Sequence, residues 1–87
     1  MPSFLIDVRT PEEYAEHHAA GAVNIPMEEI FDGKLGVLAD TKKDTPLCLY
    51  CRSGNRSERA KEMLSSLGYT DIRNLGGVED AQRFSIE

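Results

Sequence analysis

Short apolar runs alternate with amphipathic stretches along the whole chain. The runs with the composition of strands cover residues 4–8, 22–25, 47–50 and 71–75. The stretches with helical spacing cover residues 11–18, 27–31, 35–38 and 78–84, with a longer one after residue 57. Strands that alternate with helices predict an α/β fold, in which a small parallel sheet of about four strands is flanked by helices.

The ends of two helices carry clear signals. Thr10, Pro11 and Glu13 form the pattern of a capping box with proline at the first helical position, so a helix should begin there. The longer helix has an apolar stripe that consists of Ala60, Met63, Leu64 and Leu67. Gly68 follows that stripe, at the position where a left-handed glycine commonly ends a helix.

The apolar run at 47–50 is followed by the loop Cys51-Arg52-Ser53-Gly54-Asn55-Arg56-Ser57, and then by the longer helix. A helix start offers unpaired N–H groups and the positive end of the helix dipole, and Arg52 and Arg56 add two full charges. Such surroundings lower the pKa of a thiol, so we expect Cys51 to react as a thiolate in an anion-binding cradle. A buried cysteine with a purely structural role would need neither arginine.

Cys48 and Cys51 have the C-x-x-C spacing that also occurs in thioredoxin-like redox proteins. Here Cys48 lies inside the apolar run, so roughly 10 Å of extended chain, at about 3.3 Å per residue, separates the two residues and their side chains point to opposite faces. A disulfide requires Cα atoms about 4.4–6.8 Å apart. We therefore expect Cys48 to be a core residue and not half of a redox pair.

Length and charge limit the classes of protein that this chain can represent. Its 87 residues suffice for one small domain, which we take to span residues 1–87. The net charge of −5 argues against a surface for nucleic acid or anionic lipid, so the loop arginines must attract an anionic substrate locally. The sequence contains no apolar run of membrane-spanning length and no recognisable signal peptide. We expect a cytoplasmic protein as the chain stands, with the bacterial periplasm as the alternative if a signal peptide has been removed.

Three segments occur in the order found in one known family. These segments resemble the signatures of the rhodanese (thiosulfate sulfurtransferase) family. They are Ile6-Asp7-Val8-Arg9 with Pro11-Glu12-Glu13-Tyr14, then His18-Ala19-Ala20-Gly21-Ala22-Val23-Asn24-Ile25-Pro26, and then the Cys51 loop. The pair Gly76-Gly77 extends the match. The brevity of the chain and its lack of tryptophan make it similar to the small single-domain phage-shock type. The resemblance implies the strand order fourth, third, first, second, without the usual first strand of the family.

The resemblance also implies a chemistry. Cys51 would take the sulfane sulfur of thiosulfate, or of a similar small anionic donor, as a persulfide. It would then pass that sulfur to cyanide or to a thiol, and a partner protein could carry that thiol. This chemistry needs no cofactor and no metal ion, and the charge and hydropathy of the chain already predict no nucleic acid and no membrane insertion.

The implied site consists of the loop and two residues at the end of the first strand. Arg52 and Arg56 would orient the donor and hold the loop. The other substrate-binding residues would contribute backbone shape and N–H groups, and they are Ser53, Gly54, Asn55 and Ser57. Ser57 would also cap the helix. Asp7 and Arg9 would support the site without acting on the substrate, because a carboxylate beside a thiolate would raise its pKa.

Two other functional classes remain as alternatives. Phosphatases and arsenate reductases share the strand–loop–helix arrangement, but their cradles have five residues between cysteine and arginine, whereas four separate Cys51 from Arg56. A non-catalytic rhodanese-like binding module typically lacks the cysteine, which is present here.

His17 and His18 have no companion ligand cluster, so hydrogen bonding or exposure is expected for them. The Gly76-Gly77 pair fits either the mouth of the site or a turn that needs unusual backbone angles.

Overall fold

The computed structural model describes residues 4–83. Its strands are β1 (Phe4–Asp7), β2 (Val23–Asn24), β3 (Leu47–Tyr50) and β4 (Ile72–Asn74). Its α-helices are α1 (Pro11–Glu16), α2 (Met27–Phe31), α3 (Asn55–Ser66) and α4 (Val78–Gln82), and a 3-10 helix spans Gly36–Asp40. Within these residues, no helix has the length and apolar character needed to cross a membrane.

All four strands run parallel in one sheet, in the order β2-β1-β3-β4. β3 lies between β1, where Leu5 is opposite Cys48, and β4, where Leu49 is opposite Asn74. This arrangement confirms the predicted α/β fold and the strand order that the family resemblance implied. Because the strands are parallel, their carboxyl ends meet at one edge of the sheet, and Cys51 lies there directly after β3.

Two apolar layers cover the two faces of the sheet. Side chains alternate along β3, so Leu47 and Leu49 pack into one layer while Cys48 and Tyr50 pack into the other. The larger layer contains Cys51 and is closed by α2 and α3, and the smaller one is closed by α1 and α4. With both faces covered, the carboxyl edge of the sheet is where polar groups collect.

Several element boundaries differ from those that the sequence pattern predicted. α1 ends at Glu16 and not at residue 18, because His17 is extended and its carbonyl oxygen accepts a 2.6 Å hydrogen bond from Arg9. β2 and β4 are each one residue shorter at both ends than the apolar runs. α4 ends at Gln82, and Phe84, which was predicted to complete this helix, lies outside the described residues.

The structure contradicts the prediction for the N-terminal end of α3 and agrees with the prediction for its C-terminal end. Its N-cap is Gly54, at φ 98°, so the prediction that Ser57 caps the helix is wrong, and Ser57 lies inside the first turn. The C-terminal end agrees with the sequence pattern. Gly68 adopts φ 107°, and the N–H group of Tyr69 bonds back to the carbonyl of Leu64 at 3.1 Å.

Cys48 and Cys51 are both free thiols, and they belong to the apolar layers on opposite faces of the sheet. Burial raises the pKa of the Cys48 thiol above its ordinary value. As the strand spacing predicted, Cys48 is a core residue and the two sulfurs do not form a redox pair.

We expect Cys48→Ala to lower the free energy of unfolding by about 1 kcal/mol, because it removes one buried sulfur atom and leaves a small cavity. It should not change the rate at which iodoacetamide alkylates Cys51, since the two thiols lie on opposite faces of the sheet. Denaturant unfolding and labelling kinetics measure the two effects. Loss of Cys51 reactivity in this variant would reopen the redox interpretation.

Candidate active site

Cys51 forms the floor of a closed loop between β3 and α3. Its N–H group donates to the carbonyl oxygen of Gly76 at 2.9 Å, which extends the pairing of β3 and β4 beyond the ends of both strands. Only 1% of the residue is exposed. The backbone position of Cys51 is therefore set by hydrogen bonding that continues the sheet.

The sulfur of Cys51 is surrounded by hydrogen-bond donors. The N–H group of Gly54 donates to Sγ at 3.0 Å, and the hydroxyl of Ser57 lies 3.6 Å from Sγ. Burial disfavours the charged thiolate, but hydrogen bonds from the Ser57 hydroxyl and from the N–H groups of Ser57, Ser53 and Gly54 outweigh it. Together they hold the pKa of Cys51 below its ordinary value. Neutral donors, more than the arginines that the sequence emphasised, thus favour the thiolate.

Arg56 is held by an acidic residue on the facing helix. Its two terminal nitrogens donate to the two carboxylate oxygens of Glu13 at 2.8 and 3.1 Å. This pairing holds the pKa of Glu13 at about 2, and the pKa of Arg56 is raised by the same contact. Glu13 also closes the capping box of α1 through the N–H group of Thr10. A single carboxylate therefore ties the start of α1 to the start of α3.

Arg52 lies over a cleft beside the loop. The cleft encloses about 390 Å³ and is lined by Arg9, His17, Arg52 and residues 77–80. Arg52 is exposed, and among residues 4–83 its guanidinium has no hydrogen bond or ion pair. It is therefore the loop cation that remains available to a ligand, whereas Arg56 is paired.

Asp7 and Arg9 form a buried ion pair at the end of β1. The Arg9 guanidinium donates to the Asp7 carboxylate at 2.7–3.1 Å, and the hydroxyl of Tyr50 donates to the same carboxylate at 2.8 Å. Burial raises the pKa of Tyr50 to about 12, so its hydroxyl remains a donor. Within the described residues, neither Asp7 nor Arg9 hydrogen-bonds to Cys51. The pair fixes the edge of the sheet next to β3.

Asn74, at the end of β4, is a site residue that the sequence analysis did not identify. Its Oδ1 accepts hydrogen bonds from Ser57 and Gly76, and its Nδ2 donates to Gly54 and Glu58. The available signal was its position at the carboxyl end of a parallel strand, on the same edge as Cys51. The weak apolar pattern of residues 71–75 hid that signal.

The remaining predicted residues take simpler places. Asn55 is exposed and begins α3, and Ser53 contributes its N–H group to the loop. His17 is exposed at the cleft, while the ring of His18 stacks on Tyr14 with centroids 3.7 Å apart. No cluster of acidic, cysteine or histidine side chains suited to a metal ion occurs between residues 4 and 83.

The two glycines after β4 have different reasons to be glycine. Gly76 adopts φ 97°, which other residues rarely adopt. Gly77 has an ordinary φ of −97°, but a Cβ atom there would lie 2.6 Å from the carbonyl oxygen of Arg52. Both interpretations of the pair apply: Gly76 forms a turn with backbone angles that favour glycine, and Gly77 lines the cleft in close contact with the loop.

Glu13→Gln should destabilise the fold by about 1 kcal/mol at neutral pH, because solvent limits the value of a pair whose side chains are 31% and 22% exposed. Glutamine keeps the capping box but removes the charge. In the parent, the stabilisation is complete above the ordinary pKa of 4.5 and is lost as the pH falls towards the folded value of about 2. The variant should therefore lose less stability than the parent between these two values, as measured by denaturant unfolding at several pH values.

The matched control is Glu12→Gln, which neutralises an exposed acid in the same helical turn. It should change neither the stability at neutral pH nor the acid dependence. Equal effects of the two substitutions would show that Glu13 acts through the general charge of α1 and not through Arg56.

Comparison with known proteins tests the resemblance to the rhodanese family that the sequence motifs indicated. The model of the Rhodanese-like domain family matches residues 1–83. The chain is 44% identical over 75 residues to thiosulfate sulfurtransferase PspE of Escherichia coli, which covers 86% of this chain and 70% of PspE. It is 34% identical over 84 residues to human thiosulfate:glutathione sulfurtransferase, which covers 85% of this chain and 73% of the human protein. The solved structure described as a rhodanese with anions from E. coli has a TM-score of 0.80 and 38% identity, and the match covers 98% of this chain and 94% of that one. The sequence, the fold and these relatives agree that the chain belongs to the family of rhodanese-like domains.

Proposed function

We propose that this protein is a sulfurtransferase that moves a sulfane sulfur from thiosulfate, or a similar donor, to a thiol or cyanide through a persulfide on Cys51. Relatives named thiosulfate sulfurtransferase support sulfur transfer in general. The observation that carries the proposal for this chain is the Cys51 sulfur itself. It is held by N–H donors at the end of the central strand, and its pKa is lowered.

In the first step, the Cys51 thiolate attacks the outer sulfur of thiosulfate. A new S–S bond forms as the S–S bond of thiosulfate breaks, and sulfite leaves with the electron pair. In the second step, an acceptor thiolate or cyanide attacks the outer sulfur of the persulfide, and Cys51 leaves as a thiolate again. Neither leaving group requires a proton at the moment of departure. The reaction therefore needs no general base, in keeping with a thiolate that is formed in advance.

The loop supplies two kinds of stabilisation to these anions. The N–H group of Gly54 donates to the sulfur of Cys51 at 3.0 Å, and the N–H groups of Ser53 and Ser57 also help to lower the pKa of the thiol, so the loop stabilises the negative charge that the persulfide carries. Arg52, over the cleft, attracts the donor's sulfonate, which matters in a chain whose net charge is −5. Arg56, paired with Glu13, holds the start of α3, and Asn55 gives the loop its backbone shape.

Hydrolysis of phosphate esters is the competing chemistry for a Cys…Arg loop. Four residues separate Cys51 from Arg56, one fewer than in the phosphatase and arsenate-reductase cradles that resemble it. The Gly54 N–H group already lies 3.0 Å from Sγ, so the ring closes on a single atom. Placing a phosphate group there would displace its oxygens, and misplacement by about 1 Å costs about a hundredfold in rate. The loop therefore favours sulfur transfer.

Incubation with thiosulfate should add the mass of one sulfur atom to the protein, and Cys51→Ser should abolish both this adduct and turnover. Serine keeps the shape of the buried side chain but has no thiolate to form the persulfide. Intact-mass spectrometry and a cyanide-dependent thiocyanate assay measure the two results, with Cys48→Ala as the control that retains both. Hydrolysis of an aryl phosphate by the parent without any sulfur adduct would overturn the assignment.

Arg52→Ala should raise KM for thiosulfate about fivefold with little change in kcat, as the loss of one solvent-exposed charge contact of about 1 kcal/mol predicts. The difference between variant and parent should shrink as salt is added. Arg59→Ala is the matched control, because it removes a charge on the exposed surface of α3 away from the cleft. An equal rise in KM for both variants would assign the effect to net charge alone.

A further inference from the structure

The side chain of Asn74 uses all of its hydrogen-bonding groups on the active-site loop and its surroundings. Oδ1 accepts from the Ser57 hydroxyl at 2.6 Å and from the Gly76 N–H group at 3.0 Å. Nδ2 donates to the Gly54 carbonyl and to the Glu58 carboxylate, both at 3.0 Å. One amide thus joins the end of β4 to the loop and to the first turn of α3.

Two of these partners are the groups that reach the reactive sulfur. Gly54 donates its N–H group to Cys51 Sγ at 3.0 Å, and the hydroxyl of Ser57 lies 3.6 Å from the same atom. Asn74 has no hydrogen bond to the sulfur of its own among the described residues. Its influence on the thiol therefore passes through Gly54 and Ser57.

We propose that Asn74 is the positioning residue of Cys51, which holds the Gly54 turn and the Ser57 hydroxyl where they stabilise the thiolate and the persulfide. The part that concerns the persulfide rests on the proposed sulfurtransferase function. The part that concerns the thiolate rests on the geometry alone.

The Gly54 contact acts through the backbone. Gly54 adopts φ 98°, and in this conformation its N–H group points at Sγ. Its carbonyl oxygen accepts hydrogen bonds from Asn74 Nδ2 and from the Glu58 N–H group, both at 3.0 Å, and the Ser57 oxygen lies 3.1 Å away. Of these three groups, only Asn74 lies outside α3. It therefore anchors the loop to the sheet, and α3 alone cannot do so.

The Ser57 contact acts through a single hydroxyl proton. Its shortest hydrogen bond, 2.6 Å, is to Asn74 Oδ1, so the proton rests there while the Cys51 thiol is protonated. When the thiolate forms, rotation about the Cβ–Oγ bond turns the proton to Sγ. Asn74 Oδ1 keeps the N–H group of Gly76 and is not left unpaired. The amide thus holds the oxygen in place without requiring its proton.

The neutrality of the amide matters because charged groups already surround the loop. They are Arg52 on the loop, Arg56 and Glu58 on α3, Glu13 on α1 and Asp80 on α4. Aspartate at position 74 would retain the acceptor for Ser57 but would place a negative charge two hydrogen bonds from the sulfur. It would also face the Gly54 carbonyl and the Glu58 carboxylate without a proton to donate.

The test measures the rate of Cys51 alkylation by iodoacetamide against pH, in a Cys48→Ala background so that one thiol reacts. Asn74→Ala should move the midpoint of the profile up by about one pH unit, which reduces the thiolate about tenfold at neutral pH. Asn74→Asp should move it further. Arg73→Ala, an exposed neighbour on β4, is the matched control and should leave the midpoint unchanged.

A double-mutant cycle separates the two routes. If Asn74 acts partly through Ser57, then Asn74→Ala should shift the midpoint less in a Ser57→Ala background than alone. Thermal unfolding checks that each variant is folded, and if Asn74→Ala does not fold, Asn74→Leu, which is uncharged and nearly isosteric, decides the question. An unchanged midpoint in the folded Asn74 variants would overturn the proposal, because a merely structural role changes stability and not the pH profile.

Alkylation requires no sulfur donor, so the two proposals fail separately. If the Asn74 variants shift the midpoint but thiosulfate does not load the parent protein, the role of Asn74 is supported and the sulfurtransferase function is overturned. Normal loading with an unshifted midpoint would do the reverse. If both hold, sulfur transfer by the Asn74 variants should recover as the pH rises above the new midpoint, since the thiolate is then restored.

Discussion

Two opposing effects determine the protonation state of the Cys51 thiol: burial disfavours the thiolate, and hydrogen bonds from the loop favour it. Burial of the residue, which is 1% exposed, disfavours the thiolate, and the donors of the loop reverse that preference. Most of these donors are backbone N–H groups, whose directions are set by the fold and not by side-chain rotamers. The site therefore needs little reorganisation when charge appears on the sulfur, because folding has already oriented these N–H groups.

The parallel sheet makes that arrangement possible. β3 is paired on both sides, and the hydrogen bond from Cys51 to Gly76 continues its pairing with β4 past the last strand residue. On the other side, the Asp7–Arg9 pair and the hydroxyl of Tyr50 fix the end of β1. Cys51 thus lies between two neighbouring strand ends, each held by its own polar contacts.

The fold and the position of the Cys51 loop could be predicted from the sequence because their signals are local. A buried run, a glycine-containing loop and an amphipathic stripe identify Cys51 at a strand-to-helix turn. The contacts of Asn74 could not be predicted, because they depend on the register that places Leu49 opposite Asn74 in a short, weakly patterned strand. The Glu13–Arg56 pair joins residues 43 positions apart, and the capping box had already given Glu13 a sufficient local explanation. Long-range polar contacts leave no periodic trace in a sequence.

The close contact between Gly77 and the carbonyl of Arg52 has a consequence for how this surface can vary. Since a Cβ atom would come within 2.6 Å of a backbone oxygen, no substitution at 77 can be absorbed by a side-chain rotation of the neighbour. The cleft therefore cannot be reshaped from that wall. Under the proposed function, differences in donor preference would arise instead at positions such as His17 and Glu79, which line the cleft and are exposed to solvent. The geometry thus restricts position 77 to glycine, whereas the exposed positions 17 and 79 on the cleft can accept other side chains.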